Sequence, residues 1–173
     1  MRFDAIKTID ELRAVTARLI QTPSKLQEIA ASLPVPELAR ITPEGPWAIV
    51  HHLCHLRDLE REGFSVRIRK ILGGTNPSLP DLDGEKLAIA RGYGKQDAMA
   101  ALAEFTRARG ATIASLMGVT ETQLALAGTL EKIGAVTLGK VLSMMLHHDE
   151  EHIGLIEAVR KRIATQRRET IQL

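Results

Sequence analysis

Val141-Leu142-Ser143-Met144-Met145-Leu146-His147-His148-Asp149-Glu150-Glu151-His152-Ile153-Gly154-Leu155-Ile156 decides how the rest of this chain is read. Here and just beyond, Val141, Met145, His148, His152, Leu155, Val159 and Ile163 recur at steps of three or four residues, the spacing of one helix face turned toward a core. Two of those inward positions are histidine. An imidazole in place of a leucine forgoes burial worth about 1.5–3 kcal/mol, and each buried ring nitrogen then needs a partner. A metal ion supplies one: side chains four residues apart on a helix stand one turn above each other and can point nitrogens at a single ion. Two ligands do not close such a site, so a third is sought elsewhere in the chain.

All remaining histidines lie together at His51, His52 and His55, so the six fall in two clusters. His51 and His55 have the one-turn spacing of a ligand pair, and His52 and His55 share a face. Spacing alone does not choose among them. His147 is turned about 100° from His148 and is expected beside the stripe, exposed or supporting. Cys54 is turned about 100° from His55, which speaks against a Cys–His pair and for packing. A carboxylate-bridged di-iron site would require Glu-x-x-His on two helices, and no glutamate stands three residues before His51, His52 or His55. Gly73-Gly74 lacks the Gly-Lys-Ser/Thr continuation of a phosphate loop.

The 173 residues are expected to form one domain, 1–173, and 45% apolar content is enough for one core. One Trp, one Tyr and three Phe among abundant Ala, Leu, Ile and Val suit helices better than a sandwich. The spread of 23 basic against 21 acidic residues, net +2, implies no nucleic-acid partner. A lone cysteine fits a reducing compartment. No signal sequence and no run of 18 apolar residues is seen, so a cytoplasmic protein without a membrane partner is expected.

Asp10 is a plausible cap for a first helix, with Thr22-Pro23 marking a break or kink and Pro34-Val35-Pro36 its end. Leu38 to Pro46 reads as a loop. Trp47 to Leu72 is helical, with Ile49, Leu53, Leu56, Phe64, Ile68 and Ile71 inward and Arg57, Asp58, Arg61, Glu62, Arg67, Arg69 and Lys70 on a polar side, before Gly73-Gly74 stops it. Thr75 to Gly94 reads as a long irregular crossover, suited to roofing a pocket with Arg91 and Tyr93 as polar handles. Asp97 to Met117 is a third helix with Ala98, Leu102, Phe105, Ile113, Leu116 and Met117 inward. Thr120 and Gln123 make a capping box, Gly128 to Val136 a loop, and Thr137 caps a last helix running to about Ala164. Its basic tail, Arg160 to Arg168, suits a helix C-terminus. The sum is an all-α protein, a four-helix bundle with long crossover connections.

Trp47, the run His55-Leu56-Arg57-Asp58-Leu59-Glu60 eight positions on, and Thr137-Leu138 opening a helix that carries His148-Asp149-Glu150-Glu151-His152 resemble the DinB/YfiT-like superfamily over most of the chain. That resemblance implies a DinB-like four-helix bundle, commonly a homodimer, holding one divalent ion, nickel or zinc, with three histidines. Position by position it selects His55 from the first cluster, beside His148 and His152, and leaves His51 and His52 lining the cavity or supporting the ligands. It further implies a metal-dependent enzyme acting on a small molecule, either a hydrolase or an S-transferase of a low-molecular-weight thiol. The alternative is a non-catalytic, metal-stabilised binding or stress-associated module. Either enzyme needs a proton acceptor, for which Glu60, Glu151 and His51 are the candidates, and Asp149 is a supporting carboxylate or a surface charge.

Overall fold

The computed structural model describes residues 4–171. Its first helix, α1 (Ile9–Ala31), opens on Thr8. The Thr8 hydroxyl accepts the Glu11 N–H while the Glu11 carboxylate accepts the Thr8 N–H, a reciprocal cap that starts the helix earlier than Asp10. Of the break or kink expected at Thr22-Pro23 there is no break: the helix continues with the proline inside. A proline lacks the N–H that would bond the carbonyl four residues back, here Leu19. Arg109 from another helix donates Nη1 to that Leu19 oxygen at 3.1 Å.

After a 3-10 turn (Val35–Ala39), α2 (Ile49–Asp58) passes through a π turn (Leu59–Phe64) into α3 (Ser65–Gly73), forming one long rod. Ser65 donates its N–H to the Glu60 carbonyl, five residues back, which is the wide turn's bond. Trp47 lies just before this rod rather than in it. The expected inward stripe is buried, but Arg57, Asp58 and Arg67, assigned to the polar side, are buried too. Each has a partner that makes burial tolerable: Arg57 Nε donates to Asp58 at 2.7 Å, and Arg67 Nε to the Pro80 carbonyl at 2.9 Å.

The crossover is less irregular than expected. It holds β1 (Ser78–Leu79), α4 (Gly84–Ala90) and a 3-10 turn (Tyr93–Lys95). Then come α5 (Ala98–Ser115), the short α6 (Glu121–Leu124), β2 (Ala127–Leu130), β3 (Gly134–Thr137) and α7 (Leu138–Ile171). The expected loop at Gly128–Val136 is thus an antiparallel hairpin, its turn closed by Gly134 at φ +87°. With β1 paired parallel to β2 it makes a three-stranded sheet at one end of the bundle. Strands of two to four residues are too short for alternation to show in the sequence.

Four rods, α1, α2–α3, α5 and α7, make the bundle, with α2 packed on α5 and α1 on α5 and α7. Their apolar side chains form two buried clusters. One holds Leu26, Leu53, Phe105 and Ile156; the other holds Leu19, Phe64, Leu116 and Met145. On each rod the change from one cluster to the other is marked by a polar residue: Thr22 on α1, Glu60 in the π turn, Arg109 on α5 and Asp149 on α7, all buried. A polar layer therefore crosses the middle of the core, and the histidines lie beside it.

Candidate metal centre

Helix α2 carries His55 and helix α7 carries His148 and His152 to one place. One ring nitrogen from each can be chosen so that all three lie within 4.8 Å of one another. His55 Nε2 and His148 Nε2 are 2.9 Å apart, and the Nδ1 atoms of both rings are buried without a hydrogen-bond partner. His52, also buried, sets its Nδ1 2.9 Å from His152 Nδ1, which leaves the Nε2 of His152 for the cluster. Trp47 closes one side, stacked on His152 at 6.1 Å between ring centres and edge-on to His55 at 5.1 Å.

Burial, followed by the proximity of His152, pushes the pKa of both His52 and His55 down to about 3 and that of His148 to about 2. His152 is lowered as well, again chiefly by burial. Near pH 7 the rings are neutral and offer lone pairs, as metal ligation requires. Nitrogen donors from three imidazoles suit ions such as zinc or nickel. A cation among these rings would also satisfy nitrogens that now face each other. The residues present fit a divalent ion.

The polar layer fixes this arrangement from behind. All five N–H bonds of Arg109 are used: Nε and Nη2 on Glu60, at 3.1 and 2.9 Å, Nη1 and Nη2 on Asp149, at 2.6 and 3.0 Å, and Nη1 on Leu19 O. The Thr22 hydroxyl adds a bond to Asp149 at 2.8 Å. Because Asp149 follows His148 directly, this network holds the azimuth at which α7 presents its two histidines. Arg109 had a signal in the sequence, since it continues the Leu102–Phe105 stripe of α5. That stripe gave no reason to prefer a buried charge until Glu60 and Asp149 were seen to converge on it.

The candidate proton acceptors fall elsewhere. Glu60 is spent on Arg109, and burial holds its carboxyl above the usual carboxylate range in spite of that partner. Glu151 is exposed. His51 accepts the Ala48 N–H at 3.2 Å and faces Gly94 on the neighbouring side of Trp47. Asp149 is a supporting carboxylate rather than a surface charge. Arg91 and Tyr93 are not free handles, because both donate to Asp58 at 2.7 Å. Leu155, expected inward, is 44% exposed and lines the cavity. Cys54 is buried, and burial pushes its thiol up to about 11, in keeping with a packing role.

His52, His55 and His152 line a cavity of about 390 Å³ whose walls include Trp47, Leu155 and Val159. The crossover does contribute to its roof, through Asp83, Gly84 and Glu85 at the start of α4. Gly84 is needed there: a Cβ on it would stand 2.8 Å from His55 Nδ1.

No curated protein sequence matches this chain. Among solved structures it is similar to YfiT from Bacillus subtilis, described as a probable metal-dependent hydrolase with an unusual four-helix bundle topology. The TM-score is 0.86 at 18% identity, over 95% of this chain and 94% of that one. The sequence model of the DinB superfamily matches residues 18–156, and with the bundle described above this chain belongs to the DinB superfamily.

Proposed function

We propose that this protein is a metal-dependent hydrolase of a small molecule, with one divalent ion, zinc or nickel, held by His55, His148 and His152. The observation that carries the reading is the convergence of three neutral imidazoles within 4.8 Å beside a cavity large enough for a small substrate. The description of the similar YfiT as a probable metal-dependent hydrolase supports the same class. A bound ion of this kind supplies Lewis acidity and lowers the pKa of a water to about 7.

The chain's own residues do the rest. Arg109 and Asp149 keep α7 in register, and His52 holds the His152 ring by its Nδ1. Trp47, Leu155 and Val159 give the cavity an apolar wall. The titratable groups lining it besides the ligands are His52, Glu44, Asp83 and Glu85, and a proton released in the cavity passes to one of these or to solvent.

Elemental analysis of the purified protein beside a His148→Ala variant tests the site. About one ion per chain in the parent and strong loss in the variant are expected, together with metal-dependent turnover on a panel of small esters and amides. Equal metal in both overturns the site. Full metal with no turnover on esters and amides, but turnover of thiols with electrophiles, overturns the hydrolase reading in favour of S-transfer.

A further inference from the structure

Glu44, Asp83 and Glu85 line the histidine cavity, and among the described residues no lysine or arginine does. The chain as a whole has a net charge of +2, so this mouth is acidic against the balance of the molecule. The carboxylates come from two separate segments, Glu44 from the loop before α2 and the other two from the start of α4. Asp83 is partly committed, capping α4 through the Lys86 N–H at 3.1 Å and pairing with Lys86 Nζ at 3.2 Å. Glu44 and Glu85 are exposed, and neither is in an ion pair among the described residues.

An acidic rim alone would be an ordinary solvated surface. This one stands over a cavity with an aromatic and aliphatic wall, lined also by the rings of His52, His55 and His152. Carboxylates placed at an opening concentrate cations there and repel anions, an effect strengthened by low-dielectric walls. An apolar body fits between Trp47, Leu155 and Val159, and the indole face adds attraction for a cation close to it. We infer that the substrate is a small molecule with an apolar body and a positively charged amine, the amine held at the mouth by Glu44 and Glu85 while the rest of the molecule reaches toward the histidines. This rests on reading the cavity as the substrate site. It disfavours carboxylate-bearing substrates, which the rim would repel.

Trp47 is the chain's one tryptophan and lines this cavity, so its fluorescence reports occupancy without any turnover. The metal-loaded protein is titrated with three probes of similar shape: phenethylammonium, 2-phenylethanol and 3-phenylpropionate. Phenethylammonium is expected to bind about tenfold more tightly than the alcohol, and the carboxylate more weakly than either. The preference should shrink as salt is raised. The double variant Glu44→Gln, Glu85→Gln should remove most of the ammonium's advantage and leave the alcohol's affinity unchanged. Equal binding of the three, no binding of the ammonium, a preference for the carboxylate, or an advantage that survives the double variant overturns the inference. Metal content measured on the same samples separates the two readings. Full metal without charge preference sinks only the substrate class, whereas absent metal with the preference intact sinks only the metal centre.

Discussion

A methyl group at Gly84 would stand 2.8 Å from His55 Nδ1, inside the distance real Cβ contacts reach. The ring has little room to yield, since Trp47 and His148 pack against it with ring centres at 5.1 and 5.0 Å. Gly84→Ala is therefore expected to turn His55 out of line and weaken metal binding about tenfold or more. The melting temperature of the metal-free protein should change little, because Gly84 opens a short exposed helix; a competition titration with a metal indicator reads the affinity. At this scale the site was partly legible. His148 and His152 stand out because they occupy leucine positions of an apolar stripe, and His55 was marked by its neighbours in a known family pattern. Gly84 was hidden: it lies 29 positions from His55, and nothing in a glycine says which ring it makes room for. His52 was ambiguous for a related reason, as its bond to His152 depends on how two distant helices cross.

The elements were legible wherever they are long and periodic. α1, the α2–α3 rod, α5 and α7 appear at their expected places, while the strands and α4, all of seven residues or fewer, do not carry enough repeats to be read. Pro23 shows why a local rule can mislead. Inside a helix a proline ordinarily costs about 3 kcal/mol, in part through the carbonyl it leaves without a donor. Here the Leu19 carbonyl has a donor in Arg109, at 3.1 Å, so much of the penalty is already offset by tertiary structure. Pro23→Ala should consequently stabilise the protein by less than about 1 kcal/mol, well short of the usual figure. A urea midpoint, compared with the parent's, checks this. A gain close to about 3 kcal/mol would show that the arginine contact contributes nothing.

On the scale of the molecule, His55 and His148 are separated by 93 residues, so an ion between them joins the two halves of the chain. Binding to the folded state alone stabilises it by about 2.7 kcal/mol when the free ion is at one hundred times its dissociation constant. For a protein of this size that is a rise on the order of 5–10 °C in melting temperature. Calorimetry of the metal-loaded protein, before and after chelation, should show that difference, and the His148→Ala variant should show none. The bundle class followed from the sequence because four amphipathic stripes need one another. The polar layer dividing its core did not, since it exists only where Thr22, Glu60, Arg109 and Asp149 meet.

The roof over the cavity is moored at both ends. On one side β1 is joined to β2, with the Thr129 N–H on the Pro77 carbonyl at 2.9 Å. On the other, Arg91 grips Asp58 and Glu62, at 2.7 and 2.8 Å, and Tyr93 grips Asp58. A span tied down like a bridge on two piers is not a flap. Traffic into the histidine chamber then uses a standing doorway, its rate governed by diffusion and by the width of the gap, with no latch to release before each crossing.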